Sequence, residues 1–252
     1  MRIAVVGGTG TIGRRIVVAL SRDGHEVRAL SRRAPEHPVD LVTGAGLDDA
    51  LQGCDVVVDA SNGPPSGKGR AVLVDGCRRL LAAEARAGVR HHVCVSIVGI
   101  EHVPMGYYRA KLDQERVVDS AGLPWSIVRS TQFHDLLGSV LSAAGRFHVL
   151  PAAAARLQPV DVEEAATVVA DVAAGDPRLA PTTVAGPEVA DLRALARMWR
   201  AHAHRRVVEI PVPLPGRVGR ALREGRLTCP DPDIRGIRTF QAWLQENVYA
   251  AS

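Results

Sequence analysis

Short apolar runs alternate with longer amphipathic stretches through the first half of the chain. The apolar runs predict strands; they lie at residues 3–6, 26–30, 39–42, 56–60, 92–96 and 125–128. The amphipathic stretches predict helices, the first through Ile16, Val17 and Leu20 and later ones at 47–51, 70–87 and 111–121. Strands and helices in this alternation form a parallel sheet with helices on both faces, so the pattern predicts an α/β fold.

The pattern becomes irregular after Arg129. It predicts helices at 162–172 and 192–202 and a proline-rich stretch at 211–215. Ligands of open α/β sheets lie beyond the carboxyl ends of the strands, where the later third of the chain would cover them. We therefore expect a small, irregular C-terminal region on the substrate side.

A glycine-rich turn follows the first strand and precedes the first helix. Gly7, Gly10 and Gly13 have the spacing G-x-x-G-x-x-G, and Gly8, Gly10 and Gly13 also fit G-x-G-x-x-G. A side chain at Gly10 would keep the backbone from a pyrophosphate, and one at Gly13 would hold the helix off the sheet. The helix N-terminus offers free N–H groups and a positive dipole end to phosphates. The turn predicts a Rossmann-type, doubly wound parallel sheet that binds a dinucleotide.

The second predicted strand ends at Leu30 and is followed by Ser31, Arg32 and Arg33. An NAD-specific site normally offers an acidic residue here to the ribose hydroxyls. A guanidinium at Arg32 or Arg33 instead suits a 2′-phosphate, through charge-assisted hydrogen bonds. The sequence therefore favours NADP (NADPH) over NAD, although two solvated surface arginines would give the same pattern.

Composition and charge narrow the class of protein. The chain has 252 residues, 46% of them hydrophobic, which is enough for one domain over residues 1–252, with a cofactor core at roughly 1–130 and a mixed cover and substrate region at 131–252. The net charge of +4 is spread along the chain, so we expect no nucleic-acid partner. The first apolar run ends in glycines, so it predicts neither a signal peptide nor a membrane span.

The spacing of the cysteines and histidines indicates the cellular compartment and whether a metal site is expected. Cys54, Cys77, Cys94 and Cys229 are far apart and form no C-x-x-C pair, which favours reduced thiols and a cytoplasmic location. The pairs His91-His92 and His202-x-His204 have no spaced carboxylate or cysteine companions. We therefore expect no metal.

A serine, a tyrosine and a lysine form the candidate reaction centre. Tyr107 and Lys111 are four residues apart at the start of a predicted helix, so their side chains share one face. Ser96 closes the preceding strand, giving Ser96…Tyr107-x-x-x-Lys111. With the N-terminal glycines, this pattern resembles the short-chain dehydrogenase/reductase superfamily over essentially the whole chain. The segments that resemble its atypical, NmrA-like NAD(P)H-binding members are Gly7-Gly8-Thr9-Gly10, Val95-Ser96-Ile97-Val98-Gly99, Tyr107-Tyr108-Arg109-Ala110-Lys111 and Arg129-Ser130-Thr131-Gln132-Phe133-His134.

The resemblance implies a role for each candidate. Tyr107 would protonate a substrate carbonyl oxygen as hydride leaves the nicotinamide, and Ser96 would orient that oxygen. Lys111 would stabilise the phenolate and hold the nicotinamide ribose. Whether Tyr107 or Tyr108 enters the cleft stays open, although the spacing to Lys111 favours Tyr107.

The resemblance also implies which residues surround the ligands. Those expected to bind the cofactor lie in the glycine turn, after the second and fourth predicted strands, and on the catalytic helix: Gly7, Thr9, Gly10, Thr11, Ile12, Gly13, Ser31, Arg32, Arg33, Ala60, Ser61, Asn62 and Lys111. Those expected to contact substrate follow the sixth predicted strand: Gln132, Phe133 and His134. The sequence after the third predicted strand, Thr43-Gly44-Ala45-Gly46-Leu47, has no acidic residue where relatives often carry an aspartate near the adenine.

These features favour an NADPH-dependent oxidoreductase that reduces a carbonyl or quinone-like small molecule. Two alternatives stay open. One is a non-catalytic, NmrA-like dinucleotide sensor that acts through a protein partner, and the other is an isomerase or epimerase that retains its cofactor. The substrate's identity and the choice between monomer and homodimer lie beyond the sequence.

Overall fold

The computed structural model describes residues 1–63, 68–203 and 206–247. Its strands, in chain order, are β1 (Arg2–Val6), β2 (Glu26–Leu30), β3 (Val56–Asp59), β4 (His91–Ile97), β5 (Trp125–Ser130), β6 (Val149–Ala152), β7 (Arg156–Leu157), β8 (Pro181–Ala185), β9 (Ala190–Asp191), β10 (Val208–Pro211) and β11 (Ile234–Arg235). Its helices are α1 (Gly13–Arg22), α2 (Leu47–Leu51), α3 (Lys68–Arg70), α4 (Cys77–Ala87), α5 (Gly106–Asp119), α6 (His134–Gly145), α7 (Val162–Ala174), α8 (Leu192–Ala203), α9 (Gly216–Arg223) and α10 (Phe240–Asn247). A π-helical segment, Ala71–Gly76, joins α3 to α4, and a 3₁₀ turn occupies Ile100–His102.

The central sheet has seven strands in the spatial order β11-β8-β5-β4-β3-β1-β2. The pairs β2–β1, β1–β3 and β3–β4 are parallel, as crossover helices between successive strands require. Ile3, Ala4 and Val5 of β1 are fully buried, because helices flank this sheet. The predicted α/β, Rossmann-type fold is confirmed.

The strand predicted at residues 39–42 is wrong, because this segment is a turn. Oδ1 of Asp40 accepts a hydrogen bond from the Val42 N–H at 2.9 Å, and the Asp40 carbonyl accepts one from Gly44 at 2.7 Å. Val39 and Leu41 are buried in a cluster with side chains of α2 and α4. The alternation of apolar residues therefore reflects the burial of Val39 and Leu41. The hydrogen bonds of Asp40 and Gly44 close the backbone into a turn.

The described residues group into two compact units. Unit 1 comprises those of Met1–Ser96, Met105–Arg129 and Glu163–Thr182, and unit 2 comprises those of Ile97–Pro104, Ser130–Val162 and Thr183–Ser252. The helices predicted at 162–172 and 192–202 are confirmed as α7 and α8. Residues 163–174 of α7 belong to unit 1, although the predicted division near residue 130 placed them in the later region. The single domain stays a prediction.

The core of unit 2 forms where α6, α8 and α10 pack around Leu141, Leu195 and Phe240. Helix α6 carries glycine where two indole rings approach it: a Cβ on Gly138 would lie 2.6 Å from Trp243, and one on Gly145 would lie 2.4 Å from Trp199. Only a residue without a side chain leaves room for the two rings. Close packing therefore explains why glycine, a poor helix former, occurs at these two positions of α6.

Among the described residues, no helix combines the length and the apolar character that crossing a bilayer requires.

Candidate functional site

The glycine turn joins β1 to α1 and is tied to the end of β2. The N–H groups of Gly7 and Gly8 donate to the carbonyl of Leu30, at 2.8 and 3.1 Å. Gly7 has a φ of 75°, and a Cβ there would lie 2.7 Å from the carbonyl oxygen of Ala60. A Cβ on Gly13 would lie 2.1 Å from the Gly7 oxygen. The fold therefore requires glycine at both positions, because Gly7 packs against the segment after β3 and Gly13 packs against the turn itself.

The turn presents an open helix N-terminus. Thr9, Gly10 and Thr11 are exposed. In the described part of the chain, α1 has no capping side-chain hydrogen bond, and its first turn carries no acidic residue. The N–H groups of Arg14 and Arg15 already donate to backbone carbonyls. Among the described residues, the N–H groups immediately before Arg14 and the positive dipole end of α1 are thus the ones available to an anion. The turn fits the pyrophosphate of a dinucleotide.

Arg32 and Arg33 follow β2, two and three residues beyond the carbonyl that holds the glycine turn. Both are exposed, and the Arg33 N–H donates to Ser31 Oγ at 3.2 Å. Within residues 1–63, 68–203 and 206–247, neither guanidinium has an ion-pair partner. This end of the site therefore carries cationic groups that fit an additional phosphate.

The last residue of β3 and the segment after this strand are each hydrogen-bonded to α5. Asp59 is buried; its Oδ1 accepts from the Ser61 N–H at 2.9 Å and its Oδ2 from Nε2 of Gln114 at 2.8 Å. Asn62 is exposed, and its Oδ1 accepts from the Tyr107 hydroxyl at 2.9 Å. Residues 60–62, which are predicted to bind the cofactor, thus follow a strand end that contacts α5. This helix carries the predicted catalytic tyrosine and lysine.

Lys111 is buried and bound to protein oxygens. Its Nζ donates to the Val95 carbonyl at 2.7 Å and to Oε1 of Gln114 at 2.6 Å. An ammonium has three N–H donors, so these contacts leave one for a ligand, counting partners among the described residues.

Two buried serine hydroxyls fit a bound ligand. Ser96 is 1% exposed, and Oγ of Ser96 and Oγ of Ser61 have no hydrogen-bond partner in the described part of the chain. A buried hydroxyl without a partner is unfavourable, so each such group calls for a physical reason. A ligand oxygen or nitrogen against each hydroxyl supplies that reason.

The two tyrosines have different surroundings. Both are half-buried, and their ring centroids are 5.7 Å apart. Burial raises the pKa of Tyr108, with a smaller contribution from the neighbouring Tyr107. The hydroxyl of Tyr107 donates to Asn62, a predicted site residue. The structure therefore brings Tyr107 together with the segment after β3.

The residues predicted to contact substrate lie in unit 2, and two of them are engaged in its packing. Gln132 donates from Nε2 to the Leu227 carbonyl at 2.9 Å and accepts from the Gln158 N–H at 3.2 Å. His134 is fully buried against Phe240 and Trp243. Phe133 is half-buried and precedes α6. Their contact with substrate stays a prediction.

A second buried polar group in unit 1 surrounds His92. Its Nδ1 donates to the carboxylate of Glu84, at 2.9 and 3.0 Å to the two oxygens. Burial alone would lower the pKa of His92, but the charge of Glu84 raises it well above its ordinary value. Candidate ligand atoms of Asp59, Cys77 and His92 lie within 4.8 Å of one another. Burial raises the pKa of the Cys77 thiol.

Local motif spacing offered no companions for His92, because they come from two other elements, β3 and α4, which the fold brings against it. Asp59 already accepts two hydrogen bonds, and the group has three side chains where structural zinc takes four. The absence of a metal stays a prediction. Of the other predicted pair, His204 lies outside the described residues.

Sequence reasoning missed Gln114 and Asp59. Gln114 is three residues from Lys111 and so shares its helix face, a spacing that favours contact. Asp59 is the one charged residue in β3, whose other members are valines. A carboxylate in a strand buried on both faces needs partners, and that was the available signal.

A family model described as NAD(P)H-binding matches residues 7–175, which include the glycine turn, Ser96, Tyr107 and Lys111. The chain belongs to this NAD(P)H-binding family. The predicted resemblance to atypical short-chain dehydrogenases/reductases is confirmed with it.

Two curated relatives of this family member are reductases. A (4-alkanoyl-5-oxo-2,5-dihydrofuran-3-yl)methyl phosphate reductase of Streptomyces griseus is 35% identical over 144 residues, 52% of this chain and 48% of the relative. A ceramide reductase of Caulobacter vibrioides is 31% identical over 186 residues, 65% of this chain and 58% of the relative. The matches thus span about half the length of the curated relatives.

Solved structures share the fold over nearly the whole chain. An NADPH-dependent quinone oxidoreductase from Escherichia coli, complexed with NADPH, superposes with a TM-score of 0.80 at 18% identity, covering 97% of this chain and 99% of the other. A nucleoside-diphosphate-sugar epimerase from Staphylococcus aureus gives a TM-score of 0.79 at 20% identity, covering 97% and 100%. At these identities the likeness concerns the fold.

Proposed function

We propose that this protein is an NADPH-dependent reductase that transfers hydride to a carbonyl or quinone-like small molecule. One observation carries the proposal: the Tyr107 hydroxyl, the Lys111 ammonium and the unpartnered Ser96 hydroxyl all belong to unit 1, which also carries the glycine turn. The reductase names of two relatives and the quinone oxidoreductase among the structural neighbours support the choice of reaction.

Residues around the glycine turn would hold the cofactor. The N-terminus of α1 would bind the pyrophosphate, and Arg32 and Arg33 would bind the 2′-phosphate that distinguishes NADPH from NADH. Ser61 Oγ and the third N–H of Lys111 would donate to ribose hydroxyls. Bound NADPH supplies the hydride.

The side chains of α5 and β4 would move and hold the proton. In the free protein the Tyr107 hydroxyl donates a hydrogen bond to Oδ1 of Asn62. A substrate carbonyl oxygen replaces Asn62 as the acceptor, and Tyr107 transfers its proton to that oxygen as the carbon is reduced. Ser96 donates a second hydrogen bond to the same oxygen, and Lys111 stabilises the phenolate that Tyr107 becomes.

The test pairs Tyr107→Phe with Tyr108→Phe as its matched control. NADPH oxidation is followed with a panel of quinones and aldehydes, and NADPH affinity by the fluorescence of the reduced nicotinamide. Tyr107→Phe should lower kcat by about 100-fold or more, because general acid catalysis is lost, with NADPH affinity unchanged. Tyr108→Phe should keep turnover within about two-fold.

Other outcomes overturn parts of the proposal. Equal turnover by wild type and Tyr107→Phe contradicts the catalytic assignment. Tight NADPH binding without turnover of any compound in the panel favours the dinucleotide sensor.

A further inference from the structure

Three buried side chains form a hydrogen-bonded chain between the end of β3 and α5. Asp59 Oδ2 accepts from Nε2 of Gln114 at 2.8 Å, and Oε1 of Gln114 accepts from Nζ of Lys111 at 2.6 Å. Asp59 and Gln114 are fully buried, and Lys111 is 3% exposed. All three belong to unit 1.

The chemistry of the two ends fixes the orientation of the amide between them. An ionised carboxylate only accepts hydrogen bonds, and an ammonium only donates them. The NH₂ group of Gln114 must therefore face Asp59, which leaves its oxygen facing Lys111. A flipped amide would place donor against donor at Lys111 and acceptor against acceptor at Asp59.

This orientation matters because a lysine side chain has many rotamers. Burying its ammonium is unfavourable unless oxygens surround it. The Val95 carbonyl and Oε1 of Gln114 hold Nζ from two sides, and they determine where the remaining N–H points. If Oε1 of Gln114 were lost, only the Val95 carbonyl would hold Nζ, and the ammonium would be free to adopt other positions.

We propose that Gln114 is a positioning residue for Lys111 and that Asp59 acts through Gln114 by fixing its amide. Asp59 also accepts from the Ser61 N–H, so one carboxylate orders both the lysine and the segment that faces the cofactor. The inference rests on the proposed function, because it concerns the lysine assigned there to cofactor and phenolate.

The test combines Gln114→Leu with Lys111→Met in a double-mutant cycle. NADPH affinity is measured by fluorescence titration of the free protein, and kcat and KM are measured with the best quinone or aldehyde substrate. Gln114→Leu should lower kcat by about ten-fold or more, since small misplacements of catalytic groups have effects of this size, and weaken NADPH binding several-fold with KM unchanged. In the Lys111→Met background, Gln114→Leu should change neither quantity further.

Asp59→Asn is the second variant, and it keeps the volume of the side chain. Its amide accepts the Ser61 N–H but no longer forces one orientation on Gln114, so kcat should fall less than in Gln114→Leu. Ser126→Ala is the control for loss of a buried polar contact in unit 1, because Ser126 binds His91 and the Arg178 N–H and has no bond to Lys111. It should lower Tm and leave kcat unchanged.

Equal effects of Gln114→Leu in the wild-type and Lys111→Met backgrounds would overturn the inference, because they would show that Gln114 acts independently of the lysine. A silent Gln114→Leu variant would overturn it as well. If Lys111→Met alone changes neither turnover nor NADPH affinity, the proposed role of the lysine fails first, and that result is distinct from the other two.

Discussion

The hydroxyl of Tyr107 donates a hydrogen bond to Oδ1 of Asn62 at 2.9 Å, although the two residues are 45 apart in sequence. Asn62 follows β3, and Tyr107 lies in the first turn of α5, which follows β4. Strands β3 and β4 are adjacent and parallel, so the segments after them emerge at the same edge of the sheet. The topology thus places a tyrosine hydroxyl beside the loop that is predicted to bind the cofactor.

Replacement of Asn62 with alanine should lower kcat by about ten-fold, because the Tyr107 hydroxyl loses the acceptor that orients it before substrate binds. NADPH affinity should change less than kcat. Steady-state kinetics and fluorescence titration measure both. Asn247→Ala is the control, since Asn247 lies on α10 and donates to the Trp243 carbonyl. A larger effect on affinity than on kcat would instead assign Asn62 to cofactor binding alone.

Gly7→Ala should abolish NADPH binding and lower the free energy of unfolding by about 3 kcal/mol, because it combines left-handed strain with a 2.7 Å approach to the Ala60 oxygen. Gly24→Ala separates these causes: Gly24 has a φ of 82° and no heavy atom within 4 Å of the added Cβ. Strain alone should cost about 1 kcal/mol there and leave binding intact. Urea denaturation gives both values, and equal losses would show that the contact with Ala60 is unimportant.

The double variant Arg32→Ala/Arg33→Ala should raise the Kd for NADPH about ten-fold, because a charge-assisted contact to the 2′-phosphate is lost. The Kd for NADH should stay the same, since NADH lacks that phosphate. Arg217→Ala/Arg220→Ala removes two exposed arginines of unit 2 and serves as the control for net charge. Parallel weakening of both nucleotides would argue against the NADPH preference.

Stability should fall as the pH drops from 6.5 to about 4. Burial, helped by the neighbouring His92, lowers the pKa of His91 from 6.5 to about 4. Between these values the unfolded chain binds the proton and the folded protein does not, so acidification favours unfolding. The contribution is fully present above pH 6.5 and amounts to about 3 kcal/mol lost by pH 4.

The measurement compares urea denaturation of wild type and His91→Gln from pH 4 to pH 7. The variant has no imidazole at this position, so its stability should depend less on pH between 4 and 6.5. Identical slopes for wild type and His91→Gln would show that folding does not change the pKa of His91.

The candidate site could be predicted from the sequence where its signals are local. The glycine spacing, the Tyr107–Lys111 register and the arginines after β2 each lie within a few residues. Asp59 and Gln114 could not be found in this way, because their contact joins residues 55 apart and depends on the pairing of strands.

The sequence by itself determined the alternation of strands and helices that gives the α/β fold, the family, and the glycine turn that is predicted to bind phosphate, because hydrophobic period and glycine spacing act over short stretches of chain. Tertiary structure decided what depends on distant partners. It made residues 39–42 a turn although their alternation fits a strand, and it kept Gly138 and Gly145 in a helix because indole rings need the space. It also decided which buried polar atoms are satisfied, and therefore where Lys111 is held.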